Sequence, residues 1–513
     1  MTAATAPFPP QAPAAAAPPA AAFGARILTG LVGVLLAVIL AGLNENVTKM
    51  ALADIRGALG IGYDQGTWFV AVYAAASVCA MAFAPWCSVT FSLRRFTTAM
   101  LVAFAVFGAL SPFARDYPTL LALRTLQGLA GGALPPMLMT VALRFLPANI
   151  KLYGLGGYAL TATFAPSLGI PLAAFCTETL GWRWTFWLVI PPAAVAAVMV
   201  WRGLPQDPLK LERFRVFDWR GLLLGAPALA MLVIGLLQGE RLDWLNSPLI
   251  RVLLGGGGAL MALFLLNEWF HPLPFFKIQL LRNRNLSHSL LTLGGVLVVL
   301  LGVILIPSSF LAQLRGYRPL ETAPVLLAMG LPQLIALPLV AALCNLRRVD
   351  CRWVLAAGLG LLALSCALGS QLTPAWSREQ FYALEAVQIF AQPMAVIPLL
   401  MLATGGLAPQ DGPFASAWFN TIKGFAAVAA TGLLDALTTW RRHHHSHMLA
   451  DQLGSFPLSA DGESAATLAR RVQEQATALT SADLYLCMAA VALLLILLIP
   501  FVATRIYPPR VAA

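Results

Sequence analysis

The stretch L-V-G-V-L-L-A-V-I-L-A-G-L-N-E-N-V-T-K-M-A-L, residues 31–52, decides the fold class. It opens with a continuous apolar run and passes directly into Asn44, Glu45, Asn46 and Lys49. With the apolar residues just before it, the run reaches the roughly 20 residues that a helix needs to cross a hydrocarbon core of about 30 Å. The stretch therefore predicts a membrane helix that ends on a carboxylate and an ammonium group.

Runs of this kind recur along nearly the whole chain. Hydrophobic residues make up 59% and charged residues 11% of the sequence, with a mean hydropathy of +0.78, whereas a soluble domain carries about 25% charged residues. The alternating polarity of membrane-spanning strands is absent, so helices are the expected spanning structure. The predicted fold class is an all-α polytopic membrane protein. The net charge of +11 lies in short clusters between apolar runs, which membrane topology explains better than nucleic-acid binding.

Fourteen spans are predicted from the apolar runs. They lie near residues 27–50, 67–87, 97–114, 118–143, 153–175, 184–202, 220–238, 249–267, 286–308, 320–343, 353–371, 380–404, 413–437 and 483–504. Lys and Arg concentrate in alternate short loops, which places both termini in the cytoplasm. Residues 1–24 are Ala/Pro-rich, which predicts a flexible cytoplasmic tail. They lack the basic start of a signal peptide, so a signal peptide is not predicted.

The one long polar segment, residues 441–482, is predicted to lie outside the cell. Within it Leu468, Val472, Ala476 and Leu479 have helical spacing, which indicates a short amphipathic helix. This helix lies either against the rim of its own protein or against a partner protein. His443, His444, His445 and His447 begin the segment, but no nearby carboxylate or Cys completes a metal shell. The histidines thus indicate a solvated helix end, with metal binding or pH sensing as the alternative; no metal site is predicted.

Charged side chains within a span are functional candidates, because burying one costs about 2.5–3.5 kcal/mol on insertion scales. Glu45 and Lys49 are four residues apart, which places them on one helix face in the better orientation for an ion pair. The alternative is that the first span ends by about Ile39 and that both side chains face outer water.

Spans four and five carry small-residue stripes at four-residue steps, which permit close helix packing. In span four, Arg124 shares a stripe with Gly128 and Gly132, and Gln127 shares the neighbouring stripe with Gly131 and Pro135. Span five carries the stripe Gly157, Thr161, Ala165 and Gly169, with Pro166 and Pro171 able to bend the helix. Both patterns also occur in rigid membrane bundles.

Further polar residues lie within the last spans: Glu385, Gln388, Gln392, Asn420, Lys423 and Asp435. Gln388, Asn420 and Lys423 are candidates for a substrate cavity, together with Asn44, Lys49 and Gln127. No Gly-Lys-Ser/Thr phosphate loop is present. An ion gradient is therefore the expected energy source, with no cofactor and no catalytic residue.

Three motifs resemble those of the major facilitator superfamily: R-T-L-Q-G-L-A-G-G (124–132), A-P-S-L-G-I-P (165–171) and G-W-R-W-T-F-W (181–187). The chain is most similar to the fourteen-helix drug:proton antiporters of the EmrB/QacA type, closest to the EmrB branch. The outer stretch A-R-R-V-Q-E-Q-A-T-A-L-T-S-A-D (469–483) carries that last resemblance.

The resemblance implies a bacterial inner-membrane antiporter that works by alternating access. Its parts are a tail (1–24), an N-terminal six-helix bundle (25–202), a cytoplasmic loop with two linker helices (203–270), a C-terminal six-helix bundle (271–505) with the periplasmic loop 441–482, and a tail (506–513). It also implies that Arg124 takes part in proton coupling and that the Gly/Pro stripe of span five is a conformational hinge. A periplasmic adaptor protein and an outer-membrane channel are the implied partners.

Two departures from the family pattern stand out. The first helix of the family usually reads L-D-x-T-I-V-N-V-A-L-P-x-I, whereas here Asn44 replaces the Asp, Lys49 replaces the Asn, and Glu45 lies one position after the usual Asp. Between spans two and three, Val89 and Ser92 replace an Asp and a Gly, which puts the charge network of that loop in doubt.

The leading functional prediction is a proton-coupled exporter of small amphipathic or aromatic compounds. Glu45 is the predicted titrating carboxylate, Lys49 its counter-charge or an anchor for an acidic substrate, and Arg124 a modulator of Glu45. An importer or exchanger of the same fold is the alternative, and a membrane enzyme or sensor is a third class.

Overall fold

The computed structural model describes residues 24–147, 150–405, 407, 411–455 and 465–502. Within these residues fourteen helical segments are long and apolar enough to cross a membrane. The predicted number of spans is therefore confirmed. The predicted tails, 1–24 and 506–513, lie outside the described residues except for Gly24.

Among the described residues the N-terminal bundle contains nine helices, eight of which make up its six spans. They are α1 (Ala25–Met50), α2 (Leu52–Leu59), α3 (Tyr63–Phe91), α4 (Leu93–Leu110), α5 (Tyr117–Gly132), α6 (Leu134–Phe145), α7 (Lys151–Phe175), α8 (Trp184–Trp187) and α9 (Ile190–Gly203). The fourth span is divided between α5 and α6, where Pro135 and Pro136 lack the amide protons that an unbroken helix needs. The side chain of Asp116 caps α5 by accepting a hydrogen bond of 2.8 Å from the Thr119 amide. The hydrogen bonds that Asp116 accepts from Thr119 lower the pKa of the Asp116 carboxyl group.

Two linker helices and the C-terminal bundle follow. The linker helices are α10 (Trp219–Gln238) and α11 (Pro248–Phe270), and the bundle contains α12 (Arg284–Arg315), α13 (Pro319–Cys344), α14 (Cys351–Gly369), α15 (Arg378–Thr404), α16 (Gly412–Ser455) and α17 (Ala465–Leu498). Helix α10 packs against α3 and α16, and α11 packs on α10. The linker helices therefore lie at the side of the bundle interface.

The most extensive contacts between the two bundles are those of α7 with α13, α3 with α16, and α6 with α16. Small residues allow this approach, since a Cβ on Gly330 of α13 would lie 2.9 Å from the Ser167 Cβ of α7. This interface contains the candidate site.

The described part of 441–482 is helical, which corrects the prediction of a long loop. Helix α16 continues without a break from the membrane to Ser455, and α17 begins at Ala465 and continues into the last span. The predicted amphipathic helix is thus the first part of α17. Its Leu468 and Val472 face α16 across a shared groove, whereas Leu479 is exposed.

Candidate functional site

A cavity of about 170 Å³ lies between the two bundles. Its polar lining includes Glu45, Asn46, Lys49, Tyr73, Thr161, Asn420 and Lys423. The remaining lining is mainly apolar and includes Val38, Val78, Met81, Leu297 and Leu301. The cavity is therefore amphipathic, with one carboxylate and two ammonium groups on its walls.

The carboxylate and one ammonium group belong to α1. The Nζ of Lys49 lies 2.7 Å from Oε1 of Glu45, and their side chains are 32% and 29% exposed. Because α1 is helical through Met50, the alternative in which the first span ends near Ile39 is wrong. The predicted ion pair is present and faces the cavity.

The second ammonium group comes from α16, across the interface. The Nζ of Lys423 lies 3.5 Å from the Thr161 hydroxyl and 4.8 Å from the centre of the Tyr158 ring, both on α7. Among the described residues no carboxylate forms an ion pair with Lys423. The neighbouring Asn420 accepts a hydrogen bond of 2.8 Å from the Tyr158 hydroxyl. Asn420 and Lys423 therefore line the cavity; that this cavity binds the substrate stays a prediction.

Arg124 lies behind the cavity wall and is 2% exposed. Its guanidinium donates to Asn44 Oδ1 at 2.9 Å, to Gln127 Oε1 at 2.7 Å and to the Thr48 hydroxyl, and it lies 4.0 Å from the centre of the Tyr73 ring. Asn44 and Gln127 are thus buried partners of Arg124 and do not line the cavity, which corrects that part of the prediction. Helical spacing gives the shared face of two residues, but the neighbouring helices determine where that face points.

Gln388 also lies away from the cavity, in contrast to the prediction. It is fully buried in the C-terminal bundle, where its Oε1 lies 3.5 Å from the Gln392 Nε2. Gln333 of α13 in turn donates to Gln392 at 2.9 Å. These amides form a polar row between α13 and α15.

The small-residue stripe of α7 packs along α1. A Cβ on Gly169 would lie 2.5 Å from the Asn46 Cβ, and a Cβ on Gly42 of α1 would lie 3.2 Å from the Ala165 Cβ. Gly157 lies opposite Leu35, with Pro166 and Pro171 inside the same helix. Helix α7 therefore lies between α1 and α13, where relative movement of the bundles would bend it; its hinge role stays a prediction.

Four hydrogen bonds join α16 to the N-terminal bundle near the cavity. Besides those with Tyr158 and Thr161, the Ser416 hydroxyl donates to the Pro136 carbonyl at 2.9 Å and the Asn420 amide donates to the Met139 sulfur at 3.8 Å. On the predicted topology these contacts lie toward the cytoplasm.

The match to a known family agrees with this geometry. The profile of the Major Facilitator Superfamily matches residues 34–431. The chain belongs to the Major Facilitator Superfamily. It is an integral, multi-pass membrane transporter of the EmrB-type branch.

Several relatives of this transporter carry the name EmrB. Multidrug export protein EmrB of Escherichia coli (strain K12) is 23% identical over 446 residues, which cover 84% of each chain. Colistin resistance protein EmrB of Acinetobacter baumannii is 22% identical over 408 residues, covering 79% of this chain and 78% of the relative.

Solved structures with the same fold are more distant in sequence. The proton:xylose symporter XylE has a TM-score of 0.59 at 14% identity, covering 93% of this chain and 96% of XylE. The human organic anion transporter MFSD10 has a TM-score of 0.58 at 14% identity, covering 92% of this chain and 100% of MFSD10. This likeness shows the fold alone.

The transporter has a second charge network, which the sequence reasoning missed. Arg144, at the end of α6, makes a two-pronged ion pair with Asp207 at 2.7 and 2.6 Å. Asp207 lies in the loop after α9, and its amide donates to the Ser92 hydroxyl at 3.3 Å. Ser92 has a φ of +75°, in the region that favours glycine. Asp207 thus supplies a carboxylate beside the turn in which Val89 and Ser92 replace the usual Asp and Gly.

One of the histidines at the outer end of α16 takes part in an ion-pair cluster. His445 Nε2 lies 2.6 Å from Asp483 Oδ2, and Arg441 contacts the same carboxylate. His443, His444 and His447 are exposed. Within the described residues no group of His, Cys, Asp and Glu side chains is arranged to hold a metal ion. The cluster ties α16 to α17.

Proposed function

We propose that this transporter is a proton-coupled exporter of small amphipathic or aromatic compounds that works by alternating access. The observation that carries the proposal is the position of the Glu45–Lys49 pair on the wall of the cavity between the bundles. The export direction is supported by the relatives named multidrug export proteins.

Glu45 is the carboxylate that lines the cavity and is therefore the proposed proton carrier. When Glu45 takes up a proton, its charge is lost and Lys49 is released from the ion pair. Proton binding and substrate binding are then coupled through the charge of the cavity, because each changes the electrostatic environment of the other. Arg124 acts indirectly, by holding Asn44 and Thr48 on either side of Glu45.

The sign of this coupling depends on the charge of the substrate. A neutral compound that donates a hydrogen bond to Glu45 stabilises the ionised carboxylate, so substrate and proton oppose each other, as antiport requires. An acidic compound beside Lys49 and Lys423 adds negative charge, which favours protonation of Glu45. Acidic substrates would therefore travel with a proton, which makes the importer the second candidate function for that class.

Dye transport in proteoliposomes with a pH gradient tests this assignment. N-phenyl-1-naphthylamine serves as the neutral aromatic probe and 6-carboxyfluorescein as the acidic one. We expect the neutral dye to move against the proton gradient, with up to tenfold accumulation per pH unit for one coupled proton. Movement of the neutral dye in the same direction as protons, or no response to the gradient, would refute antiport.

We further propose a bacterial inner-membrane location and a tripartite assembly with a periplasmic adaptor and an outer-membrane channel. Support comes from α16 and α17, which extend well beyond the length of a membrane span and form a helical pair at the predicted periplasmic end. Site-specific crosslinking from exposed His447 to a co-expressed adaptor tests this. Absence of any crosslink from His447 and from Met448, which is also exposed, would count against the assembly.

A further inference from the structure

The C-terminal bundle contains a buried carboxyl group that the proposed transport cycle does not use. Glu385 on α15 is 1% exposed, and both of its carboxyl oxygens are buried without a hydrogen-bond partner in the described part of the chain. No described Lys, Arg or His forms an ion pair with it. It lies about two helical turns, roughly 10 Å, inside the start of α15.

The surroundings of Glu385 favour its neutral form. The ionisable side chains that interact with it are Cys366 of α14 and Tyr485 of α17, and neither carries a positive charge. An ionised carboxylate without a counter-charge or hydrogen bonds is strongly disfavoured at such a site, and protonation removes that cost. The site is thus most stable when the Glu385 carboxyl group carries a proton.

A row of amides leads away from Glu385. Gln388 and Gln392 follow it at three and seven residues along α15, and Gln392 is hydrogen-bonded to Gln333 of α13. The Nε2 of Gln388 and the Oε1 of Gln333 are buried and unpartnered as well. Since α13 forms the seam with α7 at Gly330, the row points from Glu385 toward the boundary between the bundles.

We propose that Glu385 is a second proton-binding site of the transporter and that the row Gln388, Gln392 and Gln333 connects it to the seam between the bundles. The carboxylate takes up a proton from one side and releases it to the other when the bundles move, and no other bond is made or broken. This inference rests on the proposed proton coupling and raises the number of protons carried in each cycle from one to two.

Infrared spectroscopy of the full chain in lipid tests protonation directly. At pH 7 the C=O band of a protonated carboxyl group is expected in the wild type, lost in Glu385→Gln and retained in the matched control Glu379→Gln, which alters an exposed residue of the same helix. The band should also disappear as the pH is raised. An unchanged band in Glu385→Gln, or a band that stays constant from pH 5 to 10, overturns the proposal.

A second variant protects this test against a folding defect. Tyr485→Phe alters a neighbour and leaves the carboxyl group in place, so the band should persist. Loss of the band in Glu385→Gln but not in Tyr485→Phe assigns it to Glu385; loss of the band in both variants means that it reports the packing of the bundle and counts against the proposal.

Proton counting separates this inference from the proposed function. In proteoliposomes with N-phenyl-1-naphthylamine, Glu385→Gln should lower the protons moved per dye molecule by one relative to the wild type and to Glu379→Gln. An unchanged count with an intact proton response refutes the second site alone. A wild type without any proton response refutes the proposed function, while the infrared band still reports on Glu385.

Discussion

The network around Arg124 gives the sharpest structural prediction. Its guanidinium serves three buried acceptors, on Asn44, Thr48 and Gln127, and faces the Tyr73 ring. Arg124→Lys keeps the positive charge but replaces the planar guanidinium group by a single ammonium group on a differently shaped side chain. We therefore expect the variant to lose hydrogen bonds to the buried acceptors while it keeps the positive charge.

The expected loss can be worked out from these contacts. An ammonium group at this position cannot serve all three acceptors, and each buried acceptor left unpaired costs about 1–3 kcal/mol. The weaker interaction with the Tyr73 ring adds up to about 2 kcal/mol. Arg124→Lys should thus lower the free energy of unfolding by about 3 kcal/mol.

Thermal unfolding of the detergent-purified protein, followed by the fraction that remains monodisperse, measures this loss. The matched control is Arg115→Lys, which makes the same change at an exposed position and should melt with the wild type. If Arg124→Lys and Arg115→Lys give superimposable melting curves, the buried network does not contribute to stability as described.

Three further changes test the site and its frame. Lys423→Gln should weaken binding of 6-carboxyfluorescein at least tenfold and leave N-phenyl-1-naphthylamine binding unchanged, as measured by fluorescence anisotropy; equal losses for both dyes would contradict a charge role. Gly128→Ala should lower the melting temperature, because its Cβ would lie 2.6 Å from a backbone carbonyl of α3. The control Gly258→Ala has open space and should be neutral or stabilising by up to about 1 kcal/mol. Asp207→Asn should weaken the ion pair with Arg144 and lower the melting temperature slightly, because a partly exposed pair contributes about 1 kcal/mol or less; an unchanged melting temperature would show that the pair does not stabilise the protein.

The sequence was most informative where the signal is local. Span number follows from the length of apolar runs, and the Glu45–Lys49 pair follows from four-residue spacing on one helix. The close packing around α7 also follows from spacing, since small residues at every fourth position make a continuous groove.

Tertiary relations were harder to predict. The sequence patterns placed Asn44 and Gln127 among the candidates for the cavity. In the structure both side chains accept hydrogen bonds from the buried guanidinium of Arg124 and therefore do not reach the cavity. The Arg144–Asp207 pair joins residues 63 positions apart, a distance at which no periodic pattern helps. The extension of α16 to Ser455 was missed because polar residues outside the membrane form helices without any hydropathy signal.

Transport by Glu45→Gln tests the central claim most directly. The change keeps the shape of the side chain but removes its titration, so uptake of N-phenyl-1-naphthylamine into proteoliposomes should lose its dependence on the pH gradient. The control Glu178→Gln, at an exposed site, should keep the wild-type dependence. If Glu45→Gln transports the dye at the wild-type rate with unchanged pH dependence, Glu45 is not the proton carrier.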